Sequence, residues 1–246
     1  MTTLVIGASG ATGQLLVDQL LADGQNVRAI VRSTASLPDD LVDNARLSVI
    51  RASLLDLSDT ELARHLKGCG AVASTLGHNL TFKGIFGRPR RLVTDATRRV
   101  SKTIMAANLD FPIKFVLMNT AGNGNRDLDE PISFAQKWVI GLLRRILPPH
   151  ADNEEAADYL RTGINQNHQA IEWSVVRPDS LINKDRVSAY EIHPSPTRSA
   201  IFNAGKTSRI NVAHFMAMLV GNDRTWEKWK GQMPVIYNSG LNSSRE

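Results

Sequence analysis

The stretch Leu4-Val5-Ile6-Gly7-Ala8-Ser9-Gly10-Ala11-Thr12-Gly13-Gln14 sets three glycines at GxxGxxG spacing between a short apolar run and an amphipathic segment. Gly7 is expected to make a tight turn, Gly10 to let the backbone approach a pyrophosphate, and Gly13 to permit close helix–strand packing. A helix beginning just past Gly13 carries Leu15, Leu16 and Leu20 on its apolar stripe and stops at Gly24. Its first turn offers free N–H groups and the positive end of the helix dipole to phosphates. Ser9 and Thr12 can add hydroxyl donors, with Ala11 between them in the same turn.

Working outward, apolar runs recur at Leu4–Ile6, Val27–Val31, Leu47–Ile50, Gly70–Leu76, Phe115–Met118 and Trp173–Val176. They are mostly continuous rather than alternating, which predicts strands buried on both faces of a parallel sheet, and the spacers are long enough for crossover helices. One such helix places Val93, Ala96, Val100, Ile104 and Ala107 at spacings of three and four. Arg91, Asp95, Arg98, Arg99 and Lys102 fall outside that stripe as a solvated face, with Arg91–Asp95 and Asp95–Arg99 at i,i+4.

From Gly122 to Asp152 the pattern loosens. Phe134, Trp138, Leu142 and Ile146 mark a basic, mostly apolar helix ending at Pro148-Pro149, so residues from about 122 to 152 are expected to form an insertion near the cleft. A further helix is expected from roughly Asn153 to Thr162, closed by Gly163.

The 246 residues are 42% hydrophobic and 22% charged, with 17 Gly and 10 Pro scattered along the chain, as in an ordinary folded globule. One domain spanning 1–246 is the expectation, since doubly wound α/β units often reach this length and no linker, repeat or low-complexity tract divides it. Met1 leads directly into the first apolar run, and no stretch approaches the apolar length of a membrane span. A cytoplasmic protein is therefore expected. Cys69 has no partner for a disulfide or a cysteine-rich metal site and reads as a structural thiol. The net charge of +5 favours anionic ligands such as a nucleotide phosphate without demanding nucleic acid.

The end of the second strand separates the two nicotinamide cofactors. NAD binding usually places an acidic residue there for the ribose hydroxyls, whereas this chain reads Val31-Arg32-Ser33-Thr34. An arginine with neighbouring hydroxyls suits a 2′-phosphate, so NADP(H) is the expected cofactor.

Several segments together resemble the atypical short-chain dehydrogenase/reductase group that includes NmrA-like proteins and the biliverdin-reductase-B/flavin-reductase type. They are Val5–Gly13, Ala29-Ile30-Val31-Arg32, Phe115–Gly122, Trp173-Ser174-Val175-Val176-Arg177-Pro178 and Ser208–Phe215. The resemblance runs nearly the whole chain; its glycine turn and Val-Arg-Pro segment are specific to the superfamily. It implies a Rossmann-type doubly wound parallel sheet with helices on both faces, a small C-terminal appendage on the substrate side, and a cleft over the carboxyl edge. It further implies Ser53-Leu54 near the adenine, Thr75-Leu76-Gly77 beside the middle of the cofactor and Pro178 near the nicotinamide. Ser53 stands where the group often has aspartate.

Typical members pair a Ser/Thr with Tyr-xxx-Lys, the lysine lowering the tyrosine pKa for proton exchange with substrate. No Tyr-xxx-Lys occurs here. Where it would fall, the chain reads His150-Ala151-Asp152-Asn153-Glu154-Glu155, and Tyr159 is followed four residues later by Gly163. Thr120 stands near the Ser/Thr position and is the candidate catalytic residue. His78 and His150 read as surface or loop histidines, and no metal site is expected.

Three functions compete at this level. A reductase moving hydride from NADPH to a small carbonyl, quinone or flavin-like acceptor would use a cleft bordered by Phe82, Phe86, Phe134 and Trp138. A non-catalytic NADP(H) sensor would report redox state through a protein partner. A nucleic-acid binder would need Arg88, Arg90, Arg91, Arg98 and Arg99 to form one basic surface.

Overall fold

The computed structural model describes residues 1–34, 37–78, 87, 89–107, 111–128, 130, 139, 141 and 147–239. Phe82, Phe86, Arg88, Phe134, Trp138, Leu142 and Ile146 lie outside the described residues, as does most of the expected helix that the last four would mark.

The chain begins with β1 (Thr2–Ile6), α1 (Ala11–Ala22), β2 (Asn26–Val31), a short α2 (Asp39–Val42), β3 (Leu47–Arg51), α3 (Asp59–Leu66) and β4 (Cys69–Ser74). Then come α4 (Leu92–Ala106), β5 (Ile113–Met118), α5 (Pro148–Asp158) running into a π-helical turn (Tyr159–Ile164), and β6 (Ile171–Pro178). The remainder supplies β7 (Ser180–Ile182), β8 (Tyr190–His193), β9 (Lys206–Ser208), α6 (Arg209–Gly221), α7 (Asp223–Trp229) and β10 (Val235–Asn238).

The main sheet has eight strands in the order β3-β2-β1-β4-β5-β6-β10-β8. All its pairings are parallel except β10 with β8. Continuous apolar strands are explained by what covers them. Leu4 and Ile6 of β1, Phe115 and Leu117 of β5, and Trp173 and Val175 of β6 enter a core with α3, α4 and α5. The alternate residues Val5, Val116 and Val176 enter a second core with α1 and α6 on the opposite face. With a period of two and helices on each side, both halves of every central strand must be apolar. The small appendage is the parallel pair β7–β9, which continues from the carboxyl end of β6.

Helix boundaries depart from the sequence expectations in three places. Helix α1 starts at Ala11, with Gly10 as its N-cap, so Gly13 lies within the first turn rather than before it. Pro148 and Pro149 open α5, which therefore starts five residues before the expected Asn153. Proline has no N–H to lose at the first helical positions and its φ is already helical there. Gly163 sits inside the π turn, and the chain is stopped by Asn165 in a left-handed conformation at φ 60°.

Candidate functional site

The glycine turn is interlocked with the end of β4. Gly7 has φ +83°, and a Cβ on it would stand 2.8 Å from the amide N of Leu76 and 2.8 Å from the carbonyl carbon of Thr75. A Cβ on Gly13 would stand 2.1 Å from Gly7 O and 2.8 Å from Thr75 Oγ1. Thr75 locks the seam: its N–H donates to Ile6 O at 2.9 Å, and its hydroxyl reaches Ile6 O at 3.2 Å and Gly7 O at 3.1 Å. Folding alone therefore requires Gly7 and Gly13.

Gly10 is different. Its backbone is extended at φ −77°, ψ 160°, and a Cβ would approach only Gly7 O, at 3.3 Å. The fold presses on this position far less than on Gly7 or Gly13, asking only a few tenths of an ångström of the Gly7 carbonyl, while Gly10 lines an open cleft. The first helical bond is Gln14 N–H to Gly10 O at 2.9 Å, so the N–H groups of Ala11, Thr12 and Gly13 precede the intrahelical ladder. A bare backbone flanked by unladdered N–H donors is a cradle that a pyrophosphate fits and a side chain would fill.

The cleft has a volume of about 360 Å³. Its floor is Gly7, Ser9 and Gly10; one side is the end of β2, at Ile30, Val31 and Arg32. The segment Ala52–Leu55 after β3 and Thr75-Leu76-Gly77 after β4 form further walls, and Pro89 and Leu92 close it from the start of α4. The site lies where the strand order reverses between β1 and β4, the position at which doubly wound sheets open a crevice. Nine residues singled out in the sequence line it together: Gly7, Ser9, Gly10, Arg32, Ser53, Leu54, Thr75, Leu76 and Gly77. Arg32 is exposed at the mouth, Ser53 is half-buried and Leu54 is buried.

Ala11, Thr12 and Gly13 are in the first turn of α1 and do not line the cleft. Pro178 and Thr120 also stand apart from its lining, at the carboxyl ends of β6 and β5, and are joined by Ala121 N–H donating to Pro178 O at 2.8 Å. Ala52, Leu55, Pro89 and Leu92 were not legible as site residues, because nothing local marks them.

Around Thr120 the carboxyl ends of β4 and β5 meet α5. Thr120 Oγ1 accepts the Gly122 N–H at 3.2 Å, and Thr120 N–H donates to Asn119 Oδ1 at 2.9 Å. Asn119 Nδ2 reaches Asn153 O at 2.8 Å, fastening β5 to α5. A Cβ on Gly122 would lie 3.7 Å from both Thr120 Oγ1 and His150 Cε1, so His150 borders the same corner.

Of the expected surface or loop positions, His78 does lie in the loop after β4 but with its side chain buried, whereas His150 belongs to α5. The His78 side chain is 4% exposed, with Nε2 at 2.7 Å from Asp152 Oδ2. His150 is mostly buried, 3.6 Å from Glu154 Oε1. Asp152 explains why a carboxylate stands in this part of α5: it also accepts Val93 N–H and Thr94 N–H, each at 2.8 Å, holding the N-terminus of α4. Burial by itself would raise the Asp152 pKa, but hydrogen bonds from His78, Thr94 and Val93 outweigh it and hold the carboxyl below its ordinary value.

Tyr159 has a packing explanation for the missing lysine. A Cβ on Gly163 would sit 3.0 Å from the Tyr159 ring, so the ring occupies the space a fourth-position side chain would need. Burial raises the Tyr159 pKa, opposed by Arg98, whose guanidinium lies 5.5 Å over the ring. Cys69 is buried, and burial likewise pushes its thiol up, as a structural cysteine requires.

Three arginines of the basic segment are engaged separately. Arg91 pairs with Glu155, Arg98 covers Tyr159, and Arg99 binds the turn before α3. The i,i+4 pairs expected through Asp95 are replaced by Arg91–Glu155 and Arg99–Asp59.

These features define a dinucleotide-binding protein of the doubly wound type. The chain belongs to the NAD(P)H-binding family, which matches residues 7–223. No curated protein matches it in sequence. Among solved structures, a short-chain dehydrogenase/reductase from Veillonella parvula in complex with NADP is 16% identical, with 100% of this chain and 98% of that chain covered at a TM-score of 0.68. A protein named as an NADH-flavin reductase from Streptococcus pneumoniae is 19% identical, with 97% and 99% covered at 0.64. An anaerobilin reductase from Escherichia coli O157:H7 is 18% identical, with 99% and 100% covered at 0.66. Such likeness establishes the fold, and all three share it nearly end to end.

Proposed function

We propose that the protein is an NADPH-dependent reductase of the atypical short-chain type, acting on a small carbonyl, quinone or flavin-like acceptor. The observation that carries this reading is Gly10: a glycine on which the fold presses only lightly, facing the cleft at the sheet's reversal point beside free helix N–H groups. Bound NADPH would supply the hydride. The chain's own contribution is to bind and orient it, with Gly7, Ser9, Gly10 and the first turn of α1 on the pyrophosphate. Arg32 at the mouth carries the preference for a 2′-phosphate, and Thr75-Leu76-Gly77 guide the cofactor toward Pro178.

Thr120 is assigned as the residue that hydrogen-bonds the acceptor oxygen. Its Oγ1 already accepts from Gly122, and among the described residues no acceptor takes its proton, so the hydroxyl is oriented to donate. The names of the flavin and anaerobilin reductases sharing the fold support an acceptor with an extended conjugated system.

A second reading is a non-catalytic NADP(H) sensor. It is favoured by one observation: the residue four after Tyr159 is Gly163, packed against the Tyr159 ring, so no lysine stands beside that tyrosine as in typical members. Calorimetric titration with NADPH and NADH, followed by a screen of quinones, flavins and aldehydes, separates these. NADPH preference with turnover is the expected result. Tight binding with no turnover across the panel would favour the sensor, and failure to bind either nucleotide would remove both readings. Arg32→Ala is expected to reduce the NADPH preference by about tenfold or more, the scale of one charge-assisted phosphate contact; unchanged preference would take Arg32 out of the argument.

A further inference from the structure

We infer that Arg99 is a positioning residue for the nucleotide half of the cofactor: reaching from α4, it builds the adenine-side wall of the cleft by gathering the carbonyls of the turn after β3. The inference rests on the cofactor reading above. Arg99 Nη1 donates to Leu54 O at 3.4 Å and to Leu55 O. Its Nη2 donates to Leu57 O and to Asp59 Oδ1 at 3.3 Å.

The turn needs this support because it has left the strand ladder. It is pinned on one side by Ala52 N–H donating to Val31 O at 2.9 Å, and on the other by the Ser58–Glu61 capping box that starts α3. Between those anchors the carbonyls of Leu54, Leu55 and Leu57 converge on one cation. Among the described residues no other side chain donates to them. A planar guanidinium can span several acceptors at once, which the compact ammonium of lysine cannot match.

Ala52, Ser53, Leu54 and Leu55 line the cleft on the side of Arg32, away from Thr120 and Pro178. Ser53 offers a hydroxyl rather than a carboxylate to an adenine, so recognition on this side depends more heavily on the shape of the turn, which Arg99 sets. Sequence reading placed Arg99 on a solvated helix face; its 24% side-chain exposure and its three backbone partners put it beneath the cleft wall.

The test uses the full chain as wild type, Arg99→Met and Arg99→Lys. Each is titrated with NADPH, with adenosine 2′,5′-bisphosphate as the nucleotide half, and with reduced nicotinamide mononucleotide as the other half. Amide exchange is followed across residues 52–57 and 7–14. Arg99→Met is expected to weaken NADPH and the adenosine bisphosphate by the same factor, about tenfold or more for several charge-assisted bonds, with the nicotinamide half within about twofold. Exchange should accelerate at 52–57 and stay unchanged at 7–14, and Arg99→Lys should recover part of the loss. Unchanged nucleotide affinity in a folded variant, or equal weakening of both halves, overturns the inference. If Arg99→Met does not fold, Arg99→Lys decides by the same two readouts. Wild-type protein that binds none of the probes removes the cofactor reading itself; wild-type binding with equal binding by the variants removes only the role of Arg99.

Discussion

Arg177 and Glu130 form a fully buried ion pair, with Nη2 donating to Oε1 at 2.7 Å, Nη1 to Oε2 at 3.2 Å, and side-chain exposures of 0% and 2%. Arg177 also donates to the carbonyls of Met233 at 2.6 Å, Asn123 at 2.8 Å and Pro194 at 3.1 Å. Glu130 Oε2 accepts the Asn125 N–H at 2.8 Å. The arginine of the Val-Arg-Pro segment thus joins β6, the loop after Thr120, the segment leading into β10 and the segment after β8. Glu130→Ala should destabilise by about 3–5 kcal/mol, because it leaves a guanidinium buried without its counter-charge. Glu130→Gln, which keeps an acceptor, should cost less. Urea unfolding of the two variants checks the order, and equal losses would mean that shape rather than charge matters at this position.

The glycines of the turn should separate folding from binding. Gly13→Ala places a methyl 2.1 Å from Gly7 O and is expected to prevent a stable fold. Gly10→Ala meets only Gly7 O at 3.3 Å, so its Tm should drop by no more than about 2–4 °C, the shift expected for ~1 kcal/mol in a domain of this size. Its NADPH affinity should nonetheless fall by about tenfold or more, since the methyl occupies the approach to the pyrophosphate. Thermal melts paired with nucleotide titration read both effects; a Gly10→Ala protein that binds normally would sink the assignment.

Asp152 gives a pH signature. Its carboxyl pKa is depressed in the folded protein, so its stabilisation is fully present above the unfolded-state value, about 4 for an aspartate, and is lost as pH falls through the lower folded value. Asp152→Asn should therefore be less stable than wild type by about 2 kcal/mol at neutral pH, the scale of hydrogen bonds to a buried charge. The gap should close as the pH is taken below about 4. Urea midpoints for both proteins across pH 3–7 would show it. A gap independent of pH would place the effect in packing instead of charge.

Thr120→Val removes the hydroxyl while keeping the branched shape. NADPH binding should be unchanged and the Tm nearly so, while kcat falls by about tenfold or more if the hydroxyl holds the acceptor oxygen in the transition state. Steady-state kinetics with whichever acceptor gives turnover is the measurement. A rise in KM alone would reduce Thr120 to a binding contact.

What the sequence revealed follows from the range of the forces involved. Strands β1, β4, β5 and β6 announce themselves because burial on both faces leaves them mostly apolar, while β3, at the sheet edge with no fully buried residue, shows only through Leu47, Val49 and Ile50. The pair Tyr190–His193 and Val235–Asn238 gives no comparable signal: β8 and β10 are four residues each, and β8 alternates polar and apolar side chains. The helix beginning at Pro148 was misplaced because proline serves both to stop a helix and to open one, and only the surroundings decide. The glycine turn and Arg32 were readable since their roles depend on neighbours in sequence. Asp152, Arg99 and Glu130 were not, because their partners lie roughly forty to sixty residues away along the chain.

The position of β10 bears on how the protein is made. This strand pairs with β6 on one side and is, among the described residues, the only main-sheet partner of β8, which lies some forty residues earlier in the chain. On the ribosome, a chain halted before Val235 would leave β8 as an unpaired edge with no sheet to join, although β6 would already be covered along Trp173 and Val175 by the backbone of Gly231 and Gln232. Such an edge is a template for pairing with other chains. Pairing of Val235–Asn238, more than completion of the nucleotide cleft, is the step at which the folding chain ceases to be a hazard to its neighbours.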